Sequence, residues 1–138
     1  MENTYLSGIA DYEDQEATFN GWVYNTRSVG KIWFLILRDG TGMTQCVVTR
    51  DNTTDDIFNL EKTLTQESSV SVTGVVKKEP RSVGGHEMLV KNIVVNKVAE
   101  KYPITPKEHG TSFLMDHRHL WIRSKKQHAI LKIRHQVV

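Results

Sequence analysis

Apolar and polar positions alternate from Thr18 to Tyr24, with Phe19, Gly21 and Val23 on one side and Asn20, Trp22 and Tyr24 on the other. A period of two predicts a strand. Turn residues at Ser28-Val29-Gly30-Lys31 lead into the apolar run Ile32–Arg38. Asp39-Gly40-Thr41-Gly42 is a hairpin signal, read here as glycine supplying a positive φ without steric cost. Met43 to Arg50 follows as a third strand. The pattern then changes over Asp51–Gln66: Asn52, Thr53 or Thr54 are candidate helix caps, and Ile57, Leu60 and Leu64 recur at helical spacing. Strands resume at Ser69–Lys78, with Val70, Val72 and Val76 on one face. After the loop Glu79–Gly85, a long fifth strand is expected over Glu87–Val98, with a bulge or bend in it.

Three strands, a helix and two strands is the element order of an OB-fold, a partly open Greek-key barrel. The fold class expected is therefore mainly β, a five-stranded OB-fold barrel with a helix between strands 3 and 4. The first 17 residues or so are left as a helix or arm. Beyond the barrel, Tyr102-Pro103-Ile104-Thr105-Pro106 places two prolines in an extended hinge. Ser124 with Gln127 has the capping-box form and opens a C-terminal helix whose apolar stripe is Ala129, Ile130, Ile133 and Val137. The boundaries expected are 1–100 for the barrel, 101–123 for the hinge or linker and 124–138 for the helix. That helix reaches Val138 with no stop signal and is read as interrupted.

Charge sharpens the same division. The 138 residues carry a formal net charge of only +2. Residues 1–100 nevertheless hold 10 basic and 14 acidic side chains, and residues 101–138 hold 8 basic and 2 acidic with five of the six histidines. Within the barrel the first 20 residues contain five acidic and no basic side chains. Residues 22–50, by contrast, set Arg27, Lys31, Arg38 and Arg50 against Asp39 alone. A single cysteine, Cys46, excludes an internal disulfide and a Cys-rich zinc site. There is no apolar run of membrane-spanning length and no secretory pattern at the amino terminus, so no membrane partner is expected and a cytoplasmic location is.

Candidate chemistry follows from the strand phases. If Leu35 and Leu37 fill the barrel, Phe34 is an outward aromatic able to stack on a splayed base; the alternative is a ring covered by the amino-terminal segment. Trp33 is expected inside with the leucines. Gln45 carries a donor and an acceptor suited to the edge of an unpaired base, Arg27 could pair with phosphate, and Glu87 could accept from a base amino group. Each also has a plain reading as a solvated surface residue. His109, Asp116, His117 and His119 form a weak match to a metal site, Cys46 reads as a small buried hydrophobe, and no catalytic residue, phosphate loop or nucleophile elbow is present. These observations reach an oligonucleotide-binding barrel.

Gly21-Trp22-Val23 with Arg27 and Gly30-Lys31, then Phe34–Gly42, resembles the anticodon-binding domain of the aspartyl, asparaginyl and lysyl subgroup of class II aminoacyl-tRNA synthetases. Pro103–Gly110 and Phe113–Arg123 resemble the asparaginyl members, which differ from the Tyr-Leu-Asp pattern of aspartyl enzymes at His119-Leu120-Trp121. The resemblance implies a tRNA partner whose anticodon is met by Phe34 as stacking platform and by Gln45 and Glu87 as readers, with Arg27 supporting the loop. It implies an amino-terminal fragment of an ATP-dependent asparagine–tRNA ligase, ending inside the first catalytic-domain helix and itself inactive. ATP and Mg, and homodimerisation, would belong to the full-length enzyme; no cofactor and no metal is expected in this chain. Two alternatives remain: a non-discriminating aspartyl enzyme or synthetase-derived paralogue, and a free-standing single-strand-binding module.

Overall fold

The computed structural model describes residues 4–138. The reading of Met1, Glu2 and Asn3, including Glu2's share of the amino-terminal acidity, lies outside the described residues. Five strands form: β1 (Glu16–Val29), β2 (Ile32–Arg38), β3 (Met43–Thr49), β4 (Ser69–Lys78) and β5 (His86–Lys97). They close into a barrel in the order β1-β2-β3-β5-β4, with β3 and β5 parallel and every other pair antiparallel. The chain is thus the mainly β, five-stranded OB barrel expected, with a helical segment between β3 and β4 and a C-terminal helix.

Alternation decides what fills the barrel. Phe19, Val23, Trp33, Leu35, Leu37, Cys46, Val48, Val70, Val72, Val76, Met88 and Val90 are all essentially inaccessible to solvent. Each large apolar side chain so buried contributes about 1.5–3 kcal/mol relative to exposure, which locks the phase of every strand. Bulges bend the longer strands around the core. Tyr24 is the extra residue in β1, because Val23 pairs with Leu37 while Asn25 pairs with Ile36. In β5 the register slips at Lys91 and Asn96, the irregularity expected of so long a strand.

The turns depend on different chemistry. Gly30 sits at φ +62° in the two-residue turn between β1 and β2, where a side chain would be strained. The β2–β3 hairpin departs from expectation, since neither Gly40 nor Gly42 has a positive φ. The Asp39 carboxylate makes this turn instead. Its Oδ1 accepts from Thr41 N–H at 2.7 Å, Thr41 Oγ1–H at 2.6 Å and Gly42 N–H at 2.9 Å, and its Oδ2 accepts from Leu6 N–H at 2.8 Å. The last bond ties the amino-terminal segment to the barrel. That segment forms a 3₁₀ turn over Leu6–Tyr12, burying Leu6 and Ile9, with Tyr12 edge-on to Phe19.

The segment between β3 and β4 is far less helical than its periodicity predicted. Only α1 (Asp55–Phe58) and a 3₁₀ turn over Asn59–Lys62 form. Thr54 is the cap, accepting from Ile57 N–H. The helix stops because the Ser68 hydroxyl takes the Thr65 N–H at 3.3 Å and Glu67 adopts φ 73°, turning the chain into β4.

A second compact unit comprises Tyr102–Val138. Its connector contains two short helices that the hinge reading of residues 101–123 did not include, α2 (Thr111–Asp116) and α3 (Arg118–Trp121). Phe113, Leu114, Leu120 and Trp121 are half-buried, and the Phe113 ring meets those of His109 and His117. The last helix, α4 (Lys125–Val137), begins at Ser124, whose hydroxyl accepts from Gln127 N–H. Its Ile130, Ile133 and Val137 are exposed. Among the described residues no helix is long and apolar enough to cross a membrane.

Replacing Asp39 by Ala should lower unfolding free energy by about 2–3 kcal/mol in urea titrations, because several charge-assisted bonds are lost at once. Gly40→Ala, with open space around its added Cβ, should stay within about 1 kcal/mol of the parent. The reverse order would mean that glycine, not the carboxylate, makes the turn.

Candidate nucleic-acid interface

Burying Trp33, Leu35 and Leu37 forces the intervening Phe34, Ile36 and Arg38 to the outer surface of β2. Across the ladder, Phe34 lies opposite Val47 and Ile36 opposite Gln45 on β3. Gln45 in turn lies opposite Glu87, and Val47 opposite Leu89, on β5. One outward face therefore carries Phe34, Ile36, Gln45, Val47, Glu87 and Leu89, all partly exposed. The alternation that identified Phe34 and Gln45 also contains Ile36 and Val47, which the sequence reading did not single out. They supply the apolar ground between the aromatic and the amide.

Arg27 reaches this face only because of the Tyr24 bulge. Before it, odd-numbered Phe19 and Val23 point inward; after it, Thr26 pairs with buried Leu35 and Arg27 pairs with Phe34. Without the extra residue Arg27 would share the inward phase. In the observed register its guanidinium carbon stands 4.9 Å from the Phe34 ring centroid, a favourable cation–π geometry. The described part of the amino-terminal segment is anchored elsewhere, at Asp39, Thr41 and the Val76 backbone.

Glu87 is positioned by the start of β5. Thr44 Oγ1 donates to the His86 carbonyl at 3.2 Å, fastening β3 to β5 one residue before the Gln45–Glu87 pair. The preceding loop is closed by Glu79 N–H donating to the Gly85 carbonyl at 3.0 Å. Across β4 the neighbour of Glu87 is Lys77. Among the described residues, neither the Gln45 amide nor the Glu87 carboxylate has a hydrogen-bond partner, and Arg27 has no ion pair. The face thus combines an aromatic plane, a free amide, a free carboxylate and an unpaired guanidinium within neighbouring strands about 4.8 Å apart.

The acidic amino-terminal residues are partly neutralised. Asp14 meets Lys77 at 2.9 Å, Glu16 meets Lys91 at 2.7 Å and Glu13 approaches His86 Nε2 at 3.5 Å. Arg38, on the same face of β2 as Phe34, is committed instead to Glu67 at 2.7 Å, both side chains being largely buried. That pair holds the left-handed Glu67 turn, which makes Arg38 a structural cation.

The remaining candidates take structural positions. The His117 Nδ1–H donates to the Phe113 carbonyl at 2.9 Å, and His109 Nε2 accepts from Thr105 N–H at 3.1 Å while its ring stacks on Phe113. Among the described residues, no group of three or more His, Cys, Asp or Glu is placed to hold a metal ion. Cys46 is fully buried, and burial pushes its thiol pKa up.

Comparison with known proteins places this geometry in context. The model of a family described as an OB-fold nucleic acid binding domain, tRNA anti-codon, matches residues 17–96. An asparaginyl-tRNA synthetase from Pyrococcus horikoshii, solved with asparaginyl-adenylate, is 36% identical with a TM-score of 0.86, over 98% of this chain and 32% of that one. The asparaginyl-tRNA synthetase of Entamoeba histolytica, also with asparaginyl-adenylate, is 30% identical with a TM-score of 0.74, over 91% of this chain and 31% of that one. The aspartyl enzyme of Entamoeba histolytica shares the fold at a TM-score of 0.79 but is 20% identical, over 96% of this chain and 35% of that one. The chain spans about a third of the length of these relatives.

The buried thiol has a measurable signature. At high pH the unfolded Cys46 ionises while the folded one stays neutral, so the unfolded state binds fewer protons and stability falls as pH rises. Above about pH 8.5 the loss should approach about 1.4 kcal/mol per pH unit from this group. Denaturant titrations of the parent and of Cys46→Val should diverge there, with the variant lacking that component of the slope.

Proposed function

The chain belongs to the anticodon-binding family of OB-fold nucleic acid binding domains, and from that membership we propose that it recognises the anticodon of asparagine tRNA. In this reading it serves a longer protein that attaches asparagine to that tRNA with ATP. The observation that carries the proposal is the juxtaposition of Phe34 with the unengaged Gln45 amide and Glu87 carboxylate on one outward face. The higher identity to asparaginyl than to aspartyl enzymes supports asparagine over aspartate.

The recognition chemistry follows from the anticodon. An uracil at its centre offers one N3–H donor between two carbonyl acceptors. The Gln45 amide supplies the complement, Oε1 accepting from N3–H and Nε2 donating to a carbonyl. Phe34 supplies the stacking plane, and the Arg27 guanidinium moves off the ring to meet a backbone phosphate as the base takes its place. Glu87 accepts from an amino or imino group of a neighbouring base. Stacking contributes about 1–3 kcal/mol per base, and a buried edge left unpaired costs a similar amount. Together these terms discriminate against other central bases by factors that matter to a ligase.

ATP and Mg²⁺ enter, in this reading, through the catalytic domain of the longer protein. The exposed Ile130, Ile133 and Val137 of α4 are covered there by further chain or by a second subunit.

Phe34→Ala and Gln45→Ala should each weaken binding of the cognate anticodon stem-loop by more than about 1 kcal/mol, measured by titration calorimetry at fixed salt. If neither does, the assignment of this face fails. Asparagine and aspartate anticodons share G and U and differ in the third base, U against C. A stem-loop whose third anticodon base is U should bind at least about tenfold, or about 1.4 kcal/mol, more tightly than one with C there. Equal affinity would indicate a non-discriminating protein.

A further inference from the structure

The β1–β2 turn end of the barrel carries a second arginine laid over an aromatic ring, apart from Arg27 and Phe34. Arg50 follows the last residue of β3, and its guanidinium carbon stands 4.5 Å from the Phe58 ring centroid. Phe58, the last residue of α1, is half-buried and packs against the core. The turn between them is fastened by Thr53 Oγ1, which donates to the Thr49 carbonyl at 2.6 Å, and by the Thr54 cap. Arg50 is oriented further by Asp55 at 3.3 Å, yet its side chain remains 55% exposed. The guanidinium is therefore held over the Phe58 ring while much of the side chain remains open to solvent.

We propose that Arg50, held over Phe58, is a second base-stacking platform that takes another unpaired base of the RNA strand engaged at Phe34. The proposal rests on the reading of the Phe34 face as a single-strand binding surface and adds a nucleotide site to it. Phe34 lies opposite Val47, and Arg50 comes three residues later, one position past the end of β3. At about 3.3 Å per residue those three steps span at most about 10 Å, within reach of a neighbouring nucleotide.

Charge distinguishes this platform from a phosphate clamp. Asp51, Asp55 and Asp56 are exposed around Arg50, and residues 51–56 contain no Lys or Arg. A phosphate would meet net negative charge there. A base would not, since stacking on a guanidinium plane uses the π face, and the carboxylates accept from base amino groups. Arg27, which has no carboxylate partner among the described residues, is suited to the opposite task.

Lysine separates the alternatives, because it keeps the charge and an aliphatic stem but lacks the planar face. The probe is the asparagine anticodon stem-loop, together with seven copies in which one loop base at a time is abasic. Arg50→Lys should weaken binding of the intact stem-loop by about five- to tenfold, with an unchanged salt dependence and an unchanged thermal midpoint. One abasic position, other than the one read by Phe34, should cost the parent the same factor and cost Arg50→Lys nothing further. The inference is overturned if Arg50→Lys binds like the parent, if its penalty adds to that of every abasic position, or if Arg50→Gln reduces the salt slope by about one, the mark of a phosphate contact. Loss of binding in Phe34→Ala with none in Arg50→Lys removes only the second platform. No loss in either removes the whole single-strand reading.

Discussion

Everything the outer surface can do depends on how β2 fills the barrel. Trp33, Leu35 and Leu37 are fully buried at alternate positions, so Phe34, Ile36 and Arg38 have no other place than the outside. A slip of one residue would exchange the two sets, exposing three large apolar side chains and burying an arginine. At about 1.5–3 kcal/mol per apolar side chain the slipped register is not competitive. Ladder pairing then carries the phase from β2 to β3 and β5, which sets Gln45 and Glu87 beside one another without any bond between their side chains. The same packing that makes the core thus leaves polar groups unengaged where a partner can meet them.

Two local irregularities adjust this scaffold. The Tyr24 bulge reverses the phase of β1 halfway along its length, and only that reversal sets Arg27 beside Phe34. The Asp39 carboxylate shapes the β2–β3 turn and anchors the Leu6 backbone. It thereby ties the acidic amino-terminal segment to the barrel, where Asp14 and Glu16 pair with Lys77 and Lys91. The barrel's net negative charge is therefore unevenly spread, and Arg27, Lys31 and Arg50 stand at the opposite turn end with few carboxylates other than those of residues 51–56.

Much of this was legible in the residues. Alternation located all five strands and the inward side of β2, and a hydroxyl with Gln127 marked the start of α4. What alternation could not reveal was a change in its own phase. The outward position of Arg27 depends on a bulge with no local composition signal, and bulges are set by the curvature that closure demands. Ile57, Leu60 and Leu64 kept helical spacing through a segment whose Thr65 and Ser68 hydroxyls claim the backbone, so periodicity overstated the helix. The Asp39 turn shows a similar limit, since Gly40 and Gly42 drew attention to φ while the carboxylate did the work. Arg50 and Phe58 lie eight residues apart across that misread helix, which is why their stacking was not apparent.

In the proposed function, the outward face of β2, β3 and β5 is where an anticodon loop binds. Titrating the ¹⁵N-labelled protein with the asparagine anticodon stem-loop and following amide and side-chain NMR signals tests it residue by residue. The largest shifts are expected at Arg27, Phe34, Val47 and Glu87 and at the Gln45 side-chain amide, with Asn20, Ser71 and Val94 on the far side of the barrel unchanged. Shifts concentrated at Asn20, Ser71 and Val94, with the Gln45 amide signal still, would contradict it.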